Sequence, residues 1–91
     1  MTDPTKLKVA ASLPAQIEAR IRAVIADAAI ELRDTTGGGD HWAATVVSAA
    51  FHGKNLVERH RLIYGALGDL MRGPIHALAL TTETPEEYKR T

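Results

Sequence analysis

Cysteine is absent from this chain. Disulfides are therefore excluded, and soft-metal or redox chemistry must run through other donors or through sulfur brought by another molecule. The absence also fits a reducing compartment. Aromatic residues are scarce, with one Trp, one Phe and two Tyr, so aliphatic side chains must fill most of any core. Neither sign of charge dominates, since 11 Lys and Arg balance 11 Asp and Glu. A global electrostatic attraction to nucleic acid is thereby excluded, and only a local basic patch can serve. No apolar run is long enough for a membrane span, and the opening MTDPTKLKVAAS lacks the hydrophobic stretch of a signal peptide. The expectation is a cytoplasmic protein with no membrane partner. An enzyme is not expected either: there is no nucleophile–base pairing, no paired carboxylates and no phosphate-cradling motif.

What is present suffices for one domain. The chain has 91 residues, 45% of them hydrophobic, enough for a single core of modest stability. Residues 1–11 read as a loose N-terminus and residues 12–91 as the domain. Ser12 and Pro14 open a helix whose apolar face carries Ile17, Ile21, Val24 and Ile25, ending near Ala26. From Ala28 the period falls to two: Ile30 and Leu32 alternate with Glu31 and Arg33, as in a half-buried strand. Thr35 to Asp40, with three glycines, forms a turn-rich loop. A second strand runs from His41 to Ala50, making a hairpin. Asn55 caps the longest helix, with Glu58 completing a capping-box pair. Leu56, His60, Ile63, Leu67 and Leu70 line one face, and Gly73-Pro74 stops it. Ile75 to Thr82 is a third strand. Thr84-Pro85-Glu86-Glu87 starts a final short helix. The fold class is α+β in the order α-β-β-α-β-α. A strand–helix–strand crossover makes the last two strands parallel neighbours, so the sheet is three-stranded and mixed.

The four histidines are the donors of interest. His76 is either a strand-entry residue satisfied by a carbonyl, on the face of Leu78 and Leu80, or a ligand. His41 closes the glycine loop, as an ordinary exposed residue or as a second ligand. Asp40 beside it suits the orienting carboxylate often found behind such rings. His60 falls on the apolar stripe, which favours a packed residue, and His52 reads as a solvated turn residue. Trp42 is a packing residue. Lys54, Arg59 and Arg61 cluster at the helix start, with the two arginines expected to point outward toward phosphates or a protein partner. Against nucleic acid, Gly53-Lys54-Asn55-Leu56 lacks the second glycine of a phosphate clamp in which two glycines flank two residues between helices.

Phe51-x-Gly53, Arg59-His60-Arg61, Tyr64 and the run from Ile75 to Leu80 together resemble the BolA family, small proteins with a class II KH-like fold. The resemblance runs from about His41 to Tyr88. It implies a non-enzymatic partner of a monothiol glutaredoxin in iron–sulfur cluster trafficking or iron and stress sensing. It also implies His76 as the shared cluster ligand, with His41 the candidate in the loop that carries a second ligand. Phe51, Gly53 and His60 are expected to serve structure. On this reading a [2Fe–2S] cluster is held between the chain, the partner's cysteine and glutathione, and none is expected in the isolated chain. Two imidazoles on one iron and two thiolates on the other form a Rieske-type set. The alternative is a DNA-binding transcriptional regulator of the same family, connected to cell shape and stress. DNA and a second copy of the chain stand as further candidate partners.

Overall fold

The computed structural model describes residues 12–90. The expected loose terminus at residues 1–11, and Thr91, lie outside them. Helix α1 spans Leu13–Val24 and begins where the sequence signals it. The Ser12 hydroxyl accepts from the Ala15 amide at 3.3 Å, and Pro14 occupies the first turn, where its missing N–H costs nothing. Ile17 and Ile21 are wholly buried.

Strand β1 (Ala29–Asp34) pairs antiparallel with β2 (His41–Val47), Leu32 lying opposite Ala44. The second strand is shorter than the expected His41–Ala50. The Ser48 hydroxyl accepts from the Ala50 amide at 2.9 Å and winds Ala49–Phe51 into a 3-10 turn, which delivers Phe51 wholly into the core. The same hydroxyl donates to Asp27 at 2.6 Å, and Asp27 also accepts from the Ala49 amide at 3.1 Å. One carboxylate thus ties the α1–β1 turn to the end of β2.

Helix α2 (Leu56–Leu67) opens with the expected reciprocal box: Asn55 and Glu58 exchange bonds of 2.8 Å each way. It has 12 residues, as α1 does, and so is not the longest helix. Gly68, at φ +50°, breaks it, and a 3-10 segment from Gly68 to Arg72 carries the buried Leu70. Of the expected stripe, Ile63, Leu67 and Leu70 are buried, but Leu56 in the first turn is 61% exposed at the rim of a groove beside the third strand. Strand β3 (Ala77–Glu83) runs parallel to β2 and starts two residues later than expected. The Ile75 amide is spent on the Leu70 carbonyl at 3.0 Å, so this buried residue closes the preceding turn. Helix α3 (Pro85–Lys89) is capped by Thr84 and Glu87.

The sheet order is β1-β2-β3. Trp42 and Val46 of β2 join one core cluster with Ile17, Ile21, Ile63 and Leu67 of the helices. Helices α1 and α2 therefore cover one face of the sheet, while Tyr88 of α3 lines a pocket with Ala29, Glu31, Thr45 and Val47 at the other. Residues of the other face, among them Glu31, Arg33, Ala77 and Ala79, remain exposed. No helix among the described residues is long and apolar enough to cross a membrane.

Candidate functional site

Parallel pairing sets His41 beside Ala77, so His76 arrives next to His41 at the same end of the sheet. The two rings stack with centroids 6.3 Å apart and planes 11° from parallel. His76 does not lie in the strand with Leu78 and Leu80 as expected. It occupies the bend before β3, and its side chain is 71% exposed, that of His41 45%. The main chain sets this approach: the Asp40 carbonyl accepts from the His76 amide at 2.8 Å and from the Ala77 amide at 3.3 Å. The Asp40 carboxylate stands 4.0 Å from His41 Nε2 and 3.8 Å from His76 Nδ1. Those distances are too long for hydrogen bonds, so it orients neither ring.

The glycine loop that presents His41 is tied at its base. The Asp34 carboxylate accepts from the amides of Thr36, Gly37 and Gly39 at 3.2, 2.8 and 2.9 Å, and Trp42 Nε1 donates to the Gly39 carbonyl at 3.2 Å. Trp42 is buried, as expected of a packing residue. Asp34 went unread in the sequence, although an Asp before Thr-Thr-Gly is a recognisable turn signal. Among the described residues no group of three or more His, Asp or Glu side chains is arranged to hold a metal ion. The two imidazoles fit half of a ligand set, and the chain has no thiolate to complete it.

The basic segment differs from expectation. Arg59 does not point outward: its side chain is only 13% exposed. Its guanidinium donates to the Lys54 carbonyl at 2.9 Å, the Thr82 carbonyl at 3.3 Å and Glu87 at 2.7 Å, and lies 5.7 Å from the centre of the Phe51 ring. Position 59 faces β3 and α3, where those acceptors wait. The Arg59 hydrogen bond, helped by the Thr84 amide, holds the Glu87 carboxyl at about 2. Lys54 and Arg61 are exposed. Nor is His52 merely solvated, since its Nε2 lies 2.6 Å from Glu86 Oε2 and holds that carboxyl below its ordinary value. His60 is half-buried, edge-on to Tyr64, with Nε2 buried and unpartnered among the described residues. Gly53 sits at φ +76°, a left-handed position that suits glycine.

Helices on one face of this mixed sheet define a class II KH-like α+β domain. The solution structure of BolA1 from Mus musculus matches it with a TM-score of 0.76 at 33% identity, over 89% of this chain and 72% of that one. A family model described as BolA-like protein matches residues 13–87. The chain belongs to the BolA-like family. BolA-like protein 1 of Homo sapiens is 36% identical over 84 residues, which cover 80% of this chain and 61% of that protein. The DNA-binding transcriptional regulator BolA of Escherichia coli (strain K12) is 32% identical over 81 residues, 81% of this chain and 77% of that one. This chain spans about three fifths of the length of the mammalian relatives it matches.

Proposed function

We propose that this chain pairs with a monothiol glutaredoxin to share a [2Fe–2S] cluster, in iron–sulfur trafficking or in iron and stress sensing. The observation that carries the reading is the stacked, exposed pair of His41 and His76 in a chain without a thiolate. Iron in such clusters favours thiolates, so two imidazoles alone are a poor holder and need a partner's cysteine and a glutathione thiol. His76 and His41 would hold one iron, and the imidazole pair would supply the higher reduction potential of Rieske-type ligation. The chain's own contribution is orientation: the Asp40 carbonyl holds the His76 main chain beside His41. Family membership supports the reading, and the role is that of a binding partner rather than a catalyst. It takes the cytoplasm as its compartment, where thiols stay reduced.

The test mixes the purified chain with a cluster-loaded monothiol glutaredoxin and glutathione, read by visible absorption and circular dichroism. The expected result is a changed cluster spectrum that His76→Ala abolishes and His41→Ala weakens. Acidification that protonates either ring removes a donor and releases the cluster. An unchanged spectrum, or one indifferent to His76→Ala, overturns the reading.

DNA binding is the second reading. It draws on the name of the Escherichia coli relative and on the exposed Lys54 and Arg61 at the start of α2. Arg59 cannot join them while it holds Glu87. Two exposed cations in that segment, on a chain of zero net charge, give phosphates little to bind there, so the cluster reading is favoured.

A further inference from the structure

The sheet has two edges, β1 and β3, and they differ. At β3 the Ser48 amide bonds the Glu83 carbonyl, so odd-numbered residues face β2 and even-numbered ones face outward. Arg59 occupies one group of that outer side by donating to the Thr82 carbonyl. At β1 the Thr35 amide donates to the His41 carbonyl at 2.9 Å, which sets the alternation of the antiparallel ladder. Ala29, Glu31 and Arg33 bond toward β2, and the N–H and C=O groups of Ile30, Leu32 and Asp34 point away from the sheet. No strand pairs on that side among the described residues.

The side chains of this edge match those of a second copy. Glu31 and Arg33 lie two residues apart on the face away from α1 and α2, opposite in charge and both exposed, with Tyr88 across a pocket from Glu31. Two β1 strands can pair antiparallel about a two-fold axis through Leu32. The outward groups of Ile30, Leu32 and Asp34 then meet those of Asp34, Leu32 and Ile30 in the other copy, forming about six main-chain hydrogen bonds. That register sets Glu31 against Arg33 twice, at the non-hydrogen-bonded positions where side chains approach most closely. Sliding by two residues in either direction would oppose Glu31 to Glu31, or Arg33 to Arg33. On the helix-covered face Ile30 and Leu32, half-buried at the rim of the core, gain apolar cover. Asp34 brings little free charge, because three loop amides already occupy its carboxylate. Charges on an edge strand usually discourage pairing. Their order here makes the edge selective for its own copy.

We propose that β1 is a self-pairing edge through which two copies of this chain join their sheets, with Leu32 on the two-fold axis. A joint of this size falls below the roughly 1,200 Å² of a standard interface, so association is weak and concentration-dependent. The experiment is sedimentation velocity and amide chemical-shift titration of the full chain up to about millimolar concentration, the scale of a weak complex. The wild type should self-associate, with shifts centred on residues 30–34. Glu31→Arg and Arg33→Glu each place like charges at 31 and 33, and each should weaken association about tenfold while the folded spectrum persists. An equimolar mixture of the two variants restores both opposite-charge contacts and should associate at least as well as the wild type. A wild type that stays monomeric throughout overturns the proposal. So does association unaffected by either substitution, or a mixture that associates no better than its components.

Discussion

Phe51, the one phenylalanine of the chain, is wholly buried, and the guanidinium of Arg59 stands over its ring. Few other aromatic side chains are present to fill the core, so its removal leaves a void that aliphatic neighbours cannot close. Phe51→Ala should cost about 3–5 kcal/mol, a large share of what holds a small domain folded, whereas Phe51→Leu should cost less. Urea denaturation midpoints measure both. Arg59 is the residue that sequence reasoning misplaced. Its charge type suggests solvent, and helical spacing places it beside the apolar stripe. Only the arrival of Thr82 and Glu87, 23 and 28 residues further on, shows where its donors go. His76 was misplaced by a smaller margin. The period-two pattern from Ile75 runs straight into β3, and nothing local reveals that Ile75 and His76 spend their amides on Leu70 and Asp40.

At the scale of elements, beginnings were more legible than ends. Ser12, Asn55 and Thr84 each cap a helix through contacts spanning three residues, so the signal and its cause lie in the same stretch of chain. Asn55→Ala removes the acceptor for the Glu58 amide and should lower stability by about 1 kcal/mol, visible as a reduced melting temperature. Ends depended on distant partners. The turn after β2 is pinned by Asp27, 21 residues before Ser48. The break after α2 needs Gly68 at φ +50°, with the Arg20 guanidinium of α1 donating to the Leu67 carbonyl at 3.1 Å and to Asp69 at 2.9 Å.

Across the whole molecule, carboxylates join elements that are remote in sequence. Asp27 is held below its ordinary value by the Ser48 hydroxyl and the Ala49 amide, Asp69 by Arg20, Glu86 by His52, and Glu87 at about 2 by Arg59. Each folded-state value lies below the unfolded one. Their contribution to stability is therefore complete above the ordinary carboxylate value and disappears as pH falls through the folded value. For Glu87 that window runs from 4.5 down to about 2. Denaturation midpoints should hold steady from neutral pH to about 5 and then decline through this window. Glu87→Gln should lower the neutral-pH midpoint and flatten part of the decline. A midpoint that rises on acidification contradicts this assignment.

The amino-acid sequence by itself determined the number and order of α-helices and strands and the mixed three-stranded sheet, because capping, period and turn chemistry act over a few residues. It also determined that this chain brings no thiolate of its own to any metal, since no cysteine is encoded. The tertiary structure decided the 6.3 Å approach of His41 and His76, the withdrawal of Arg59 from the surface and the open edge at β1. Each depends on strand register or on partners more than 20 residues away, and side-chain periodicity within one segment carries no information about which distant segment it will meet.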